Sequence, residues 1–314
     1  MRDPRSMLSI RGTIPALVTS FKNGELDRIG FMSFVEWQIR HGIDALAPCS
    51  LAGEAPALTL SERAQVIGIC VEISEGQVPV IAGTGSNCTQ KTIALTAQAK
   101  ACGADVALIA VPYYNKPTQE GVIRHFETIA RAVDIPIMIY HSPLHQAIDL
   151  MPSTVLRLAA IPSVIGIVDS TGDLSRLAMY RKISCSFIIL SGDDRTAPAF
   201  SLAGGHGALS SIANVLPRQT SALFHAALGG NTQAALTLSD RLQPLITALT
   251  SNENPATLKS ALNVVFGLSP QVRLPMVQPD ADVQEMIKAT LEHLMHKESG
   301  VHAASAIPLR AIAS

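Results

Sequence analysis

The chain has 314 residues, with 24 Lys+Arg against 25 Asp+Glu and a formal net charge of −1. That balance excludes a nucleic-acid partner, which needs a concentrated positive field to neutralise phosphates. Hydrophobic residues at 47% against 16% charged exclude a disordered chain, which lacks the apolar surface to offset its chain entropy.

Mean hydropathy is +0.28, but no apolar run approaches the roughly 20 residues a spanning helix needs. Runs such as 106–111 are one strand long, so no membrane role is expected and the aliphatic content belongs in a large core. Residues 1–11 hold no apolar stretch of signal-peptide length, which predicts a cytoplasmic protein. The five cysteines, Cys49, Cys70, Cys88, Cys102 and Cys185, are odd in number and form no CxxC pair. That predicts free thiols and no cysteine-based metal site.

Eight short aliphatic runs follow one another: 14–18, 45–47, 80–82, 106–111, 137–140, 164–168, 187–190 and 207–210. Amphipathic stretches of helical spacing alternate with them at 29–42, 61–75, 89–103, 119–132, 152–161, 174–182 and 196–203. Thr59-Leu60-Ser61-Glu62, Thr118-Gln119-Glu120 and Gly172-Asp173-Leu174 read as helix starts. The runs are apolar on both faces, as parallel strands covered by helices require. The pattern predicts an α/β fold, a (β/α)8 TIM barrel over 1–215, with a doubly wound open sheet as the alternative. Residues 216–296 read as a C-terminal helical extension and 297–314 as a loosely held tail.

A barrel carries its site at the C-terminal ends of its strands. There the sequence places Pro48-Cys49-Ser50-Leu51-Ala52-Gly53-Glu54, Gly83-Thr84-Gly85, the 112–121 stretch, Tyr140-His141-Ser142-Pro143-Leu144-His145, Asp169-Ser170-Thr171-Gly172-Asp173 and Ser191-Gly192-Asp193-Asp194. Together with Gly204-Gly205-His206-Gly207, Ala213-Asn214-Val215 and Val272-Arg273-Leu274-Pro275, these segments resemble the dihydrodipicolinate synthase / N-acetylneuraminate lyase family of pyruvate aldolases, over about residues 8 to 296. The resemblance implies a barrel with a helical extension, assembled as a dimer of dimers. It also implies a small keto-acid ligand, no cofactor and no metal. Its chemistry uses a sixth-strand lysine that forms an imine with pyruvate, a tyrosine that shuttles protons, a hydroxyl relay to a second tyrosine from a neighbouring subunit, and an arginine for the second substrate's carboxylate.

Carried over residue by residue, both tyrosines remain, as Tyr140 and Tyr114, while the chemistry around them departs. The family's Gly-Ile/Val-Lys-Asp/Glu-Ala/Ser-Thr-Gly-Asp reads Gly166-Ile167-Val168-Asp169-Ser170-Thr171-Gly172-Asp173, so Val168 stands at the lysine. Gly-Thr-Thr-Gly-Glu reads Ser50-Leu51-Ala52-Gly53-Glu54, so Leu51 and Ala52 replace the relay hydroxyls. His145 falls at the arginine and His141 at the asparagine after the tyrosine. Gly192 and Leu209 keep the positions whose backbones line the family's pocket floor. Of the eight lysines, Lys22, Lys91, Lys100, Lys116, Lys182, Lys259, Lys288 and Lys297, none lies on an expected barrel strand; Lys116 is the nearest substitute by topology.

Several residues keep two readings. Tyr140 and Tyr114 are either retained proton-transfer groups or packing residues. His141 and His145, near Asp169 and Glu54, are either contacts to a polar ligand, an acid/base or metal pair, or loop histidines. Cys49 is either a nucleophile or a small buried residue. Asp193 and Asp194 read better as a helix start and loop brace than as a catalytic dyad. The departures favour a non-catalytic or strongly diverged keto-acid-binding relative; the alternative is an active lyase of the family working without a lysine.

Overall fold

The computed structural model describes residues 10–250 and 254–301. Seven parallel strands run round a ring in the order β1 (Gly12–Pro15), β9 (Gly207–Ser210), β8 (Ile188–Ser191), β7 (Val164–Asp169), β6 (Ile137–His141), β5 (Val106–Ala110) and β4 (Ile81–Gly83). A small hairpin, β2 (Phe21–Lys22) and β3 (Glu25–Leu26), follows β1.

The expected eighth strand, 45–47, closes the ring through single parallel bridges, Ala16 to Ala47 and Leu46 to Val80. Ala47 N donates to Pro15 O at 3.2 Å and Ile81 N to Leu46 O at 2.8 Å. Pro15, Pro48 and Pro79 surround this run, and a proline has no amide to extend a ladder. The segment therefore bridges its neighbours without growing into a full strand. With both edges joined, the fold is a (β/α)8 barrel and the open-sheet alternative falls away.

Helices α1 (Arg28–Arg40), α2 (Leu60–Ser74), α3 (Thr89–Ala101), α4 (Gln119–Ala132), α5 (Pro143–Gln146), α6 (Pro152–Ala159), α7 (Leu177–Tyr180) and α8 (Ala197–Leu202) fill the connections. Thr59 caps α2 in a reciprocal box with Glu62, and Thr118 caps α4 through Gly121 N, each satisfying amides the helix cannot. The stretch expected as one helix at 174–182 is a 3-10 turn, Leu174–Arg176, followed by the single turn α7. Asp173 caps it through Ser175 N, and Arg176 bends back to Asp149 and Asp169.

Strand alternation sorts the core into two layers. Ile14, Leu108, Met138, Val168, Leu190 and Leu209 fill the barrel interior. Ile109, Ile139, Ile167 and Ile189 face outward beneath the helices. Helix α9 (Pro217–Leu228) packs on β1, tied by Thr13 Oγ1 donating to Thr220 O. Then come α10 (Thr232–Thr250), α11 (Pro255–Phe266) and α12 (Ala281–Val301). Of the expected tail, 297–301 continue α12 and 302–314 lie outside the described residues.

A buried ion pair clamps this helical part onto the barrel. Lys259 Nζ, on α11, lies 2.6 Å from Glu54 Oε1 with both side chains almost fully buried, and donates to Gln271 O at 2.8 Å. Lys259 and Arg273 both sit over the Phe21 ring, at 4.2 and 4.3 Å from its centroid.

Candidate functional site

A cavity of 330 Å³ opens at the C-terminal ends of the strands. The loop after the 45–47 run supplies Ser50, Leu51 and Ala52, β6 supplies Tyr140, and the loops after β8 and β9 supply Gly192, Asp194 and Ser211. The helical extension closes it with Leu249, Asn254, Pro255 and Leu258. The lining is largely apolar with a few polar groups, as small-molecule sites usually are.

Of the residues read from the sequence, Leu51, Ala52, Tyr140, His145, Gly192 and Leu209 meet there. Val168 lies in the adjoining interior cluster, 1% exposed, with Met138, Leu190 and Leu209. It is paired with Tyr140 across the sheet. Gly192 is a glycine for steric reasons: a Cβ there would fall 2.0 Å from Ser170 Oγ and 3.0 Å from Val168 Cγ1. His145, on the one-turn helix α5, has its Nδ1 2.8 Å from Ser142 Oγ.

Three expected site residues lie elsewhere. His141 follows the inward-facing Tyr140 on β6, so it points to the outer layer and is fully buried there. Its Nε2 is 2.9 Å from Asp149 Oδ1, and burial pushes its pKa down. The His141–His145 pair is therefore split between two layers. Asp169 is outward-facing for the same reason. It accepts from Thr171 N at 2.8 Å and from Tyr180 OH, and lies 3.2 Å from Arg176 Nε. It braces the β7 loop; neither residue lines the cavity. Tyr114 has left-handed backbone (φ 72°) and is 89% exposed; its neighbour Tyr113 lines the cavity of this chain instead.

Asp193 and Asp194 act as braces. Asp193 pairs with Arg195 Nε at 2.9 Å. Buried Asp194 accepts from Ser211 N at 2.8 Å and Ile212 N at 3.1 Å, and desolvation raises its pKa to about 6. Cys49 lines the cavity, but burial pushes its thiol up to about 12, so it is no nucleophile at neutral pH. Among the described residues no His/Cys/Asp/Glu group is arranged to hold a metal, and no helix is long and apolar enough to cross a membrane.

The sequence reading missed the cavity's cation and its roof. Arg63 sits in the first turns of α2 and lines the cavity. Leu249 and Leu258 belong to helices that follow the barrel. A helical apolar stripe marks a buried face but not what lies beneath it, so only the folded chain reveals these contacts.

A (β/α)8 barrel with a cavity at its strand ends and a helical lid over it defines a class of enzyme-like scaffolds. The comparisons narrow it. The Dihydrodipicolinate synthetase family profile matches residues 9–294. The chain is 43% identical over 282 residues to a 4-hydroxy-tetrahydrodipicolinate synthase of Rhodospirillum centenum, covering 90% of this chain and 97% of that one. It is also 43% identical over 283 residues to the Hyphomonas neptunium protein of the same name, covering 89% and 97%. Dihydrodipicolinate synthase of Thermotoga maritima superposes with a TM-score of 0.89 at 33% identity, covering 91% of this chain and 99% of that one. The chain belongs to the dihydrodipicolinate synthase family.

Proposed function

We propose that the protein is a small keto-acid-binding member of this family that does not work through a lysine imine. The observation that carries this reading is Val168. It stands where the family pattern places the imine-forming lysine, packed among aliphatic side chains, and no lysine among the described residues lines the cavity. Lys22, Lys91, Lys100, Lys116, Lys182 and Lys288 are exposed, Lys259 is held in its ion pair with Glu54, and the Lys297 side chain lies outside the described residues. With no primary amine at the cavity among the described residues, pyruvate has no lysine route to the enamine that would act as carbon nucleophile.

A second reading is 4-hydroxy-tetrahydrodipicolinate synthase activity, from pyruvate and aspartate semialdehyde, by a non-lysine route. The identity to proteins of that name over nearly their whole length supports it, and the comparisons taken alone favour it over the binding-only reading. Under it Tyr140 is the group placed for proton transfer at the cavity, since His141 is sealed in the outer layer.

Borohydride treatment in the presence of pyruvate, followed by intact mass, tests the shared claim: the mass should not change. A reduced pyruvate adduct mapped to a lysine would overturn it. A thermal shift with pyruvate but no consumption of the two substrates supports the binding reading. Turnover without an adduct supports the second.

A further inference from the structure

Among the described residues, the cavity holds one buried cation without a carboxylate partner. Arg63 is 8% exposed, and its hydrogen bonds are donated to two carbonyl oxygens, Gly83 at 3.3 Å and Ala55 at 2.6 Å. A guanidinium has five N–H donors, so these bonds leave donors uncommitted to the protein. A buried charge is costly until it is paired. Ser50 lies on the same wall. Its carbonyl accepts from Ala55 N at 3.3 Å, and its amide is 3.1 Å from the Cβ position of Gly83. The Ser50 hydroxyl is buried and has no hydrogen-bond partner among the described residues. Both residues line the cavity.

The rest of the chamber differs in character. Leu51, Ala52, Leu108, Leu209, Leu249 and Leu258 give it an aliphatic wall, and Leu51 is 37% exposed. The two lining carboxylates, Asp193 and Asp194, are already bonded to Arg195 and to backbone amides. They disfavour a second negative charge on a ligand.

We infer that the cavity takes a monocarboxylate with an aliphatic body, its carboxylate on Arg63 and its chain against the leucines. This rests on the keto-acid reading above and sharpens it: the preferred keto acid is branched and apolar, neither as small as pyruvate nor dianionic.

Calorimetric titration of the full chain with 4-methyl-2-oxopentanoate, pyruvate and 2-oxoglutarate tests this. The branched acid should bind at least about tenfold more tightly than either other, since each buried methylene contributes about 0.8 kcal/mol. Arg63→Met should weaken it about 10- to 100-fold, as loss of a charged hydrogen bond does, and Arg63→Lys should restore part of the loss. Leu51→Asp, at an exposed position, should abolish binding of the branched acid while the fold, read by circular dichroism, is kept. Binding of pyruvate as tight as that of the branched acid would overturn the inference and leave the keto-acid reading standing. Binding unchanged in both Arg63→Met and Leu51→Asp would also overturn it. No binding of any of the three acids would remove both.

Discussion

Replacing Val168 with lysine restores the family's missing amine and has consequences that can be worked from the surroundings. The side chain at 168 is 1% exposed, among Met138, Leu190 and Leu209. An ammonium there is desolvated, and a fall of about 3 units from the usual lysine value near 10.4 is typical of such sites. The lysine then binds fewer protons folded than unfolded between about pH 7.4 and pH 10.4, so stability rises with pH across that window. At 1.36 kcal/mol per unit, the charge costs about 4 kcal/mol at pH 7 and about 2 kcal/mol at pH 9. Urea melts of Val168→Lys at the two pH values should show that difference relative to the parent. Borohydride trapping with pyruvate should now give one adduct at position 168, faster as the amine deprotonates. Turnover should still lag the Rhodospirillum centenum relative by about 10²- to 10⁴-fold, the usual contribution of placed proton-transfer groups, because Leu51 and Ala52 carry no hydroxyl. Turnover within about tenfold of that relative would refute the relay argument. A folded variant with no adduct at pH 9 would refute the placement of residue 168 beside the ligand.

Two further outcomes follow from the clamp and the exposed loop. Lys259→Met should destabilise by about 3–5 kcal/mol, because it leaves Glu54 buried without its partner. Burial holds Lys259 down to about 8, so the parent gains stability as pH rises from about 8 towards the unfolded lysine value near 10.4, and urea melts of the variant should lose that gain. The family resemblance and the exposed Tyr114 predict an oligomer by light scattering; a monomer would count against Tyr114 crossing a subunit contact.

The barrel was legible because eight apolar runs and their capping residues repeat one unit, and repetition averages out local errors. The 45–47 run was harder to read, since the prolines that confine it to bridges are partly on neighbouring strands. At the site, Leu51, Ala52, Tyr140, His145, Gly192 and Leu209, named through the family motifs they occupy, come together at the cavity. His141 and Asp169 lie outside it, because a motif names a segment, whereas side-chain direction reverses with each residue of a strand. Tyr140 and His141 are neighbours in the chain yet face opposite layers. Arg63 and Lys259 were hidden for a different reason. Their importance comes from partners far away in sequence, a cavity in one case and Glu54 in the other.

The two main departures from the family pattern do not have the same physical standing. Val168 is accounted for by stability alone: a β-branched aliphatic side chain on a strand, packed in an apolar cluster, avoids the desolvation that a lysine would suffer there. A chain with no need of an imine would gain from that exchange whatever else it did. Leu51 cannot be explained this way. At 37% exposure in the cavity wall, it leaves apolar surface in contact with solvent, where a threonine would fit at least as well. Its advantage appears when something apolar, a ligand or a neighbouring subunit, occupies the space beside it. Under the reading proposed above, Val168 therefore speaks to the chemistry given up, whereas Leu51, facing the same chamber as the carbonyl-bound Arg63, speaks to the proposed ligand.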